Sequence, residues 1–242
     1  MTGRARHLAR RVRAFWPRRA ANRILRRFRR LDGPTLSIPR ARLRLGTAPV
    51  IVECGANTGS DTVKFLARWP DARIYCFEPE PRAIAEWRAT VTSPRATLFE
   101  VALAAVDGET TFHRSSGRRP ADPDPAAPPW NQSGSIRRPT GHLERWPWVT
   151  FEETITVATR SLDSWAAEHG IDRVDLIWAD VQGAEEDLVR GGLATLSRTR
   201  YLYTEVADEE CYEGQIDLPG LLALLPGWKV VARFPNDVLV RA

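Results

Sequence analysis

The sequence predicts an α/β protein built on one mostly parallel sheet, and three observations predict it. From residue 50 onward, short apolar runs alternate with segments of helical periodicity, the pattern of right-handed βαβ units. A tight turn carrying Gly55 and Gly59 joins the first run to the first helical segment. The chain closes with two short apolar runs, 228–234 and 237–241, separated by Pro235-Asn236, which reads as a hairpin that puts one antiparallel strand into the sheet. A length of 242 residues suits one such domain with appendages.

In order, 50–54 is the first strand and 60–68 the first helix; 73–77 is the second strand, followed by a helix that starts at Pro81, a favourable first-turn position for proline, and runs through Trp87. Residues 97–103 read as the third strand, and Asp107-Gly108 between short β runs signals a hairpin. An insert at 115–150 holds seven prolines and Trp130, Trp146 and Trp148, with little periodicity. Its tryptophans either cover a substrate or pin the loop to the core. A β run at 154–159 leads to Ser161, which caps a helix. The fourth core strand, 174–179, ends at Asp180; a helix opens at Gly183 with acids in its first turn, which suits the macrodipole. Strand 200–206 and a helix at 218–225 precede the terminal hairpin.

Charge divides the chain. Residues 1–45 hold 15 Arg and one acid, Asp32, whereas the remaining 197 residues hold 20 basic and 29 acidic side chains. The basic arm shows helical apolar spacing in two short pieces (Leu8, Val12, Phe15; Ile24, Leu25, Phe28, Leu31). It reads as an interfacial helix on an anionic membrane surface, as a contact for nucleic-acid phosphates, or as a helix packed on the acidic domain. With no base-stacking platform of aromatics, nucleic acid is the less favoured partner. No apolar stretch approaches a membrane span, and Cys54, Cys76 and Cys211 do not make a disulfide framework. A cytoplasmic location is expected, peripheral at the inner membrane face if the arm binds lipid.

The glycine turn points to a nucleotide-type cofactor above the first strand, bound by backbone N–H groups at a helix N-terminus. Glu78 follows the second strand, 25 positions after Glu53, where an acid accepts both hydroxyls of a ribose. The turn has no third glycine for close approach of a diphosphate. A cofactor with a ribose and no diphosphate fits better, and S-adenosylmethionine is the candidate; a nicotinamide dehydrogenase is the weakest reading. No His, Cys or carboxylate cluster has ligand spacing, so no metal is expected.

Five ordered motifs resemble the FkbM-type family of S-adenosylmethionine-dependent O-methyltransferases: Glu53-Cys54-Gly55-Ala56-Asn57-Thr58-Gly59, Phe77-Glu78-Pro79, Ala102-Leu103-Ala104 with Asp107-Gly108, Arg160-Ser161-Leu162-Asp163, and Asp180-Val181-Gln182-Gly183-Ala184-Glu185. The later Tyr212-Glu213-Gly214-Gln215 is similar to a segment of many members. The resemblance covers about residues 50–241 and implies a Rossmann-like class I methyltransferase fold for the domain expected at 46–242. It implies cofactor binding by Glu53, Gly55, Ala56, Asn57, Gly59, Glu78, Pro79, Ala102, Leu103 and Asp180, with catalysis by Asp180 and, secondarily, Glu185 and Glu205. Asp180 is expected to accept a proton or orient the acceptor, its bland alternative being a helix cap; His142 is a weaker base candidate. Where the family often has lysine and glutamate, this chain has Trp178 and Gln182. The implied acceptor is a hydroxyl on a sugar, glycolipid or secondary metabolite. RNA methylation with the arginine arm, and a non-catalytic membrane-associated scaffold, are the competing readings.

Overall fold

A computed structural model describes residues 43–120 and 126–242. The arm expected at 1–45 lies outside the described residues except for its last three. Of these, Leu43 is buried and Leu45 packs against the same core.

Seven strands form the main sheet in the order β3-β2-β1-β7-β8-β10-β9. They are β1 (Val50–Cys54), β2 (Arg73–Phe77), β3 (Ala96–Phe99), β7 (Leu176–Ala179), β8 (Tyr201–Glu205), β9 (Lys229–Arg233) and β10 (Asp237–Arg241). Pairing is parallel from β3 through β8, and β10 alone is reversed, antiparallel to both β8 and β9. This is the Rossmann-like class I methyltransferase arrangement, and the chain's terminal hairpin supplies its reversed strand.

Strand burial follows from the period-2 alternation of side chains when both faces are covered. Ile51, Ile74, Leu176 and Leu239 face a layer that holds α1 (Ser60–Arg68) and α2 (Pro81–Thr90), through Val63, Phe65 and Trp87. Val52, Phe77, Ile177 and Val238 face the other layer. That layer holds α4 (Leu162–Glu168), α5 (Glu185–Arg190) and α7 (Leu218–Leu224), through Trp165, Leu188 and Leu221. Ser161 caps α4 by accepting from Ser164 N at 3.1 Å, as its position before the helix predicts. Asp163 accepts from Ala194 N and Thr195 N, tying α4 to α6 (Leu193–Leu196).

Two sequence expectations fail in the same region. The third strand is not continuous through residue 103: it ends at Phe99, and β4 (Ala102–Leu103) belongs to a second sheet, of order β4-β6-β5. Nor does Asp107-Gly108 close a hairpin. The runs on either side of it, β4 and β5 (Gly108–Gly117), are separated by β6 (Val149–Arg160), which lies between them and pairs with both. Asp107 instead holds the crossing, its carboxylate accepting from Ser161 N at 2.7 Å. A long-range partner outcompetes the local turn signal here.

The insert is the connection between β5 and β6. Where it is described it is ordered, with a short helix α3 (His142–Arg145) and a backbone bridge between Ser135 and His113 of β5. Trp130 meets Trp148 edge-on at 5.2 Å with Arg119 over both rings, and Trp146 packs on buried His142. These tryptophans pin the insert to its own strands and do not line the cavity below. Glu80 fastens the second sheet to the first: it caps α2 and pairs with both Arg82 and Arg114 of β5.

Candidate active site

A cavity of about 410 Å³ opens at the carboxyl ends of β1, β2, β7 and β8, within the range of small-molecule sites. Its base is the glycine turn. Gly55 has φ +79°, and a Cβ there would stand 2.0 Å from the Asp180 carbonyl oxygen; only glycine lets the turn meet the end of β7. The turn was expected to present free N–H groups. Instead Gly55 N and Ala56 N both donate to Phe77 O, Asn57 N donates to Glu78 Oε2 at 2.8 Å, and Gly59 N donates to Ala56 O. The turn spends these donors on riveting β1 to β2, so the groups left to face a ligand are chiefly side chains.

Glu78 is the most firmly placed of them. Its two carboxylate oxygens accept from Asn57 N and from Glu80 N at 2.9 Å, and the side chain lines the cavity directly above the turn. Burial pushes its pKa up to about 7 against the pull of those two hydrogen bonds. Glu53 lines the cavity from deeper in the sheet. Its Oε2 accepts from Thr62 Oγ1 at 2.5 Å and Cys76 Sγ at 3.3 Å, and burial, aided by the neighbouring Asp61 charge, raises its pKa to about 8. Asn57 also lines the space while its Nδ2 donates to Asn131 O of the insert at 2.9 Å.

Across the cavity stands a second group of acids. Asp180 follows β7, Glu205 ends β8, and Asp237 starts β10, directly paired in register with Glu205. Asp237 comes to this edge because β10 is reversed, so its first residue lies where the parallel strands have their last. Asp180 is exposed to the water of a concavity yet surrounded by protein. That desolvation, with the Asp237 and Asp61 charges, holds its pKa up at about 6. Burial first and Asp180 second push Glu205 well above the usual carboxylate range, and burial raises Asp237 to about 6. Gln182 sits between them, its Nε2 donating to Asp180 Oδ1 at 2.5 Å and to Glu205 Oε2 at 3.2 Å.

The structure therefore brings Glu53, Gly55, Ala56, Asn57, Glu78, Pro79, Ala102, Leu103, Asp180 and Glu205 to one cavity. It leaves two expected residues outside the lining. Gly59 faces Trp87 and Val91 of the α2 region, so its missing Cβ serves helix packing. Glu185 is buried at the start of α5, where burial raises its pKa to about 7 and its Oε1 accepts from Gly183 N at 3.4 Å. Asp180 is not the cap of α5, since that position is Ala184. His142 is buried among Trp146, Phe151 and Tyr212, and burial lowers its pKa to about 4; it is a packing residue outside the cavity. Sequence reasoning missed Asp61, Lys64, Tyr203 and Asp237; of the insert, read as covering a substrate or pinned to the core, the segment Asn131 to Ile136 walls the cavity beside Phe112. Only Asp237 carried a signal, standing just past the Pro235-Asn236 turn of a hairpin already recognised. Among the described residues no group of His, Cys, Asp or Glu is arranged to hold a metal ion.

The chain is similar to several known proteins. The model of the "Methyltransferase FkbM domain" matches residues 53–233. The 2-O-methyltransferase NoeI of Sinorhizobium fredii is 48% identical over 198 residues, covering 80% of this chain and 79% of that protein. Among solved structures, a Klebsiella pneumoniae protein assigned as an O-methyltransferase covers 96% of this chain and 93% of its own, with a TM-score of 0.47 at 12% identity. Aeropyrum pernix fibrillarin, solved with natively bound S-adenosyl-L-methionine, covers 83% and 72%, with a TM-score of 0.41 at 15% identity. The cavity has the features this cofactor needs: a carboxylate held at the end of β2, a close-packed glycine turn beneath, and apolar Ala102 and Leu103 beside it. The chain belongs to the FkbM methyltransferase family and is an S-adenosylmethionine-dependent O-methyltransferase.

Proposed function

We propose that the acceptor is a hydroxyl of a sugar, free or carried on a glycolipid or secondary metabolite, and that Asp180 takes its proton. The observation that carries this reading is the acid group facing Glu78 across the cavity. Asp180, Glu205 and Asp237, with Gln182 and Asn236, offer a ring of acceptors and a few donors suited to a polyhydroxyl ligand. The same ring repels phosphate and other anions, which argues against a nucleic-acid acceptor. The 48% identity to a protein named a 2-O-methyltransferase makes a 2-hydroxyl the first position to test.

On this reading Glu78 accepts the cofactor's ribose hydroxyls with the lone pairs its two N–H donors leave free. Glu53 and the Asn57 Oδ1 receive the ammonium of its amino-acid end, and Pro79, Ala102 and Leu103 flank the adenine. Gly55 and Ala56 form the floor, and Glu185 braces the segment after Asp180 by accepting from Gly183 N. When bound, S-adenosylmethionine supplies a methyl group on a positively charged sulfur that departs as a neutral thioether. The chain's own contribution is alignment of the acceptor oxygen and a base at the point of proton loss. A base held near pKa 6 is ionised at neutral pH and remains able to take a proton.

Labelled cofactor incubated with a panel of simple methyl glycosides, and with lipid and polysaccharide extracts, tests the reading. Label should enter a glycoside, and Asp180→Ala should abolish the transfer; label that appears equally with the variant removes Asp180 from the chemistry. The arginine-rich residues 1–45 are proposed to hold the enzyme on anionic lipid. Co-sedimentation with phosphatidylglycerol vesicles should disappear on deletion of the arm and in high salt.

A further inference from the structure

We propose that Gln182 is a positioning residue, a neutral spacer whose carboxamide, oriented by Tyr212, holds Asp180 and Glu205 side by side and keeps Asp180 available as a proton acceptor. The inference rests on the assignment of Asp180 as that acceptor.

The orientation of the amide follows from what surrounds it. Asp180 and Glu205 present only acceptors when ionised, so the NH2 of Gln182 must face them and give one proton to each. Its Oε1 is then turned toward Tyr212, whose hydroxyl lies 2.9 Å away and donates to it or to Ser133 O at the same distance. Tyr212 is itself buried and held under the turn: Gly183 has φ +91°, and a Cβ there would stand 2.5 Å from Tyr212 Cβ. Ser135 Oγ donates to Gln182 O at 2.7 Å, so the insert grips the backbone of the same residue. Gln182 has φ +52°, a left-handed conformation that is unfavourable for a non-glycine residue. Three separate segments thus converge on one strained residue whose side chain serves two like charges.

A spacer is needed here because the other acids nearby make the crowding worse. Asp61 on α1, Asp237 on β10, Glu185 on α5 and Glu78 after β2 all act on this group, with Cys211 beside Glu205. Among the described residues the one cation lining this space, Lys64 on α1, is paired with Asp61 at 2.5 Å. Two carboxylates so placed would otherwise share a single proton, as like charges in a common site do. The two donors of Gln182 offset that tendency at Asp180.

The test titrates Asp180 directly in the full-length chain by carbon NMR of carboxyl-labelled aspartate, with Asp180→Asn assigning the signal. Gln182→Glu keeps the shape and replaces two donors by a third charge. It should raise the Asp180 midpoint by about one unit, enough to cut the ionised fraction at pH 6 roughly fivefold. Tyr212→Phe should move it in the same direction by less, and this near-isosteric change gives the reading if Gln182→Glu does not fold. Label transfer to the responsive methyl glycoside should follow the same shift, recovering toward pH 9. An Asp180 midpoint unchanged in both variants would overturn the spacer role, as would a loss of transfer that is equal at all pH values. Transfer that survives Asp180→Asn would instead overturn the assignment of the base, whatever the midpoints show.

Discussion

The two carboxylate groups that face each other across the cavity are held in opposite ways. Glu78, at the end of β2, is fixed by two backbone N–H groups, those of Asn57 and Glu80, and so by the fold itself. Asp180 and Glu205, at the ends of β7 and β8, are held by one side-chain amide and surrounded by further acids. Backbone donors cannot be lost without unfolding a turn, which suits a contact that must be the same in every binding event. A side-chain clamp can be tuned residue by residue, which suits a group whose proton affinity has to match a reaction. On the proposed reading, the difference separates a binding anchor from a chemical one.

The largest expected effect breaks the second group. Asp180→Asn preserves shape and removes the base, and transfer should fall about 10²- to 10⁴-fold while cofactor affinity changes little. Single-turnover rates at saturating cofactor, set beside calorimetric binding, measure both. Glu78→Ala should do the reverse, weakening S-adenosylmethionine by roughly tenfold to a hundredfold, the worth of a lost charged hydrogen-bonding group, with less change in the rate at saturation. If Glu78→Ala cut the saturated rate as deeply as Asp180→Asn, the division between anchor and base would be wrong.

The pH dependence sharpens the comparison. Asp180 must be ionised to accept a proton, so the acid limb of the rate profile should lie near pH 6 and disappear in Asp180→Asn. Stability has the opposite sign. Glu53, Glu78 and Asp180 have folded pKa values raised above their unfolded ones, so the folded protein binds protons more tightly. Their contribution to stability is fully present below about pH 4 and is lost as pH rises through about 6 to 8. The cofactor-free protein should therefore melt at a lower temperature at pH 8 than at pH 6. Glu53→Gln should flatten the fall and raise the melting temperature by a few degrees above pH 8.

The smallest effect concerns the insert. Trp130→Ala removes the edge-on pair with Trp148 and the Trp130 Nε1 donation to Ser133 Oγ, all three residues lying outside the cavity lining. It should cost about 1 to 2 kcal/mol of stability by chemical denaturation while leaving cofactor affinity within a factor of about three. A larger loss of affinity would mean that the tryptophans cover the ligand after all.

Much of the first half of this cavity was legible in the chain, because local rules generate it. An apolar run, a glycine turn and a helix at 50–68 can fold in few other ways, and an acid one strand later must stand beside them once the strands are parallel neighbours. Glu53, Gly55, Asn57 and Glu78 come to one place for that reason. Asp180 and Glu205 were readable by the same logic, as acids at strand ends on one edge. Gly59 was misplaced because spacing cannot tell a glycine that faces a ligand from one that faces a helix.

By itself, then, the sequence determined the alternation of strands and helices, the reversed final strand, and which acids end up on the carboxyl edge. Only the tertiary structure decided that β6 would slip between the runs flanking Asp107-Gly108, that the insert would wall the cavity with Asn131 to Ile136 while its tryptophans pinned it elsewhere, and that Tyr212 would reach Gln182. The physical reason is range. Turns, caps and strand ends are set by neighbours a few residues away, whereas these contacts join segments 30 to 80 positions apart whose pairing is chosen by the packing of the whole molecule.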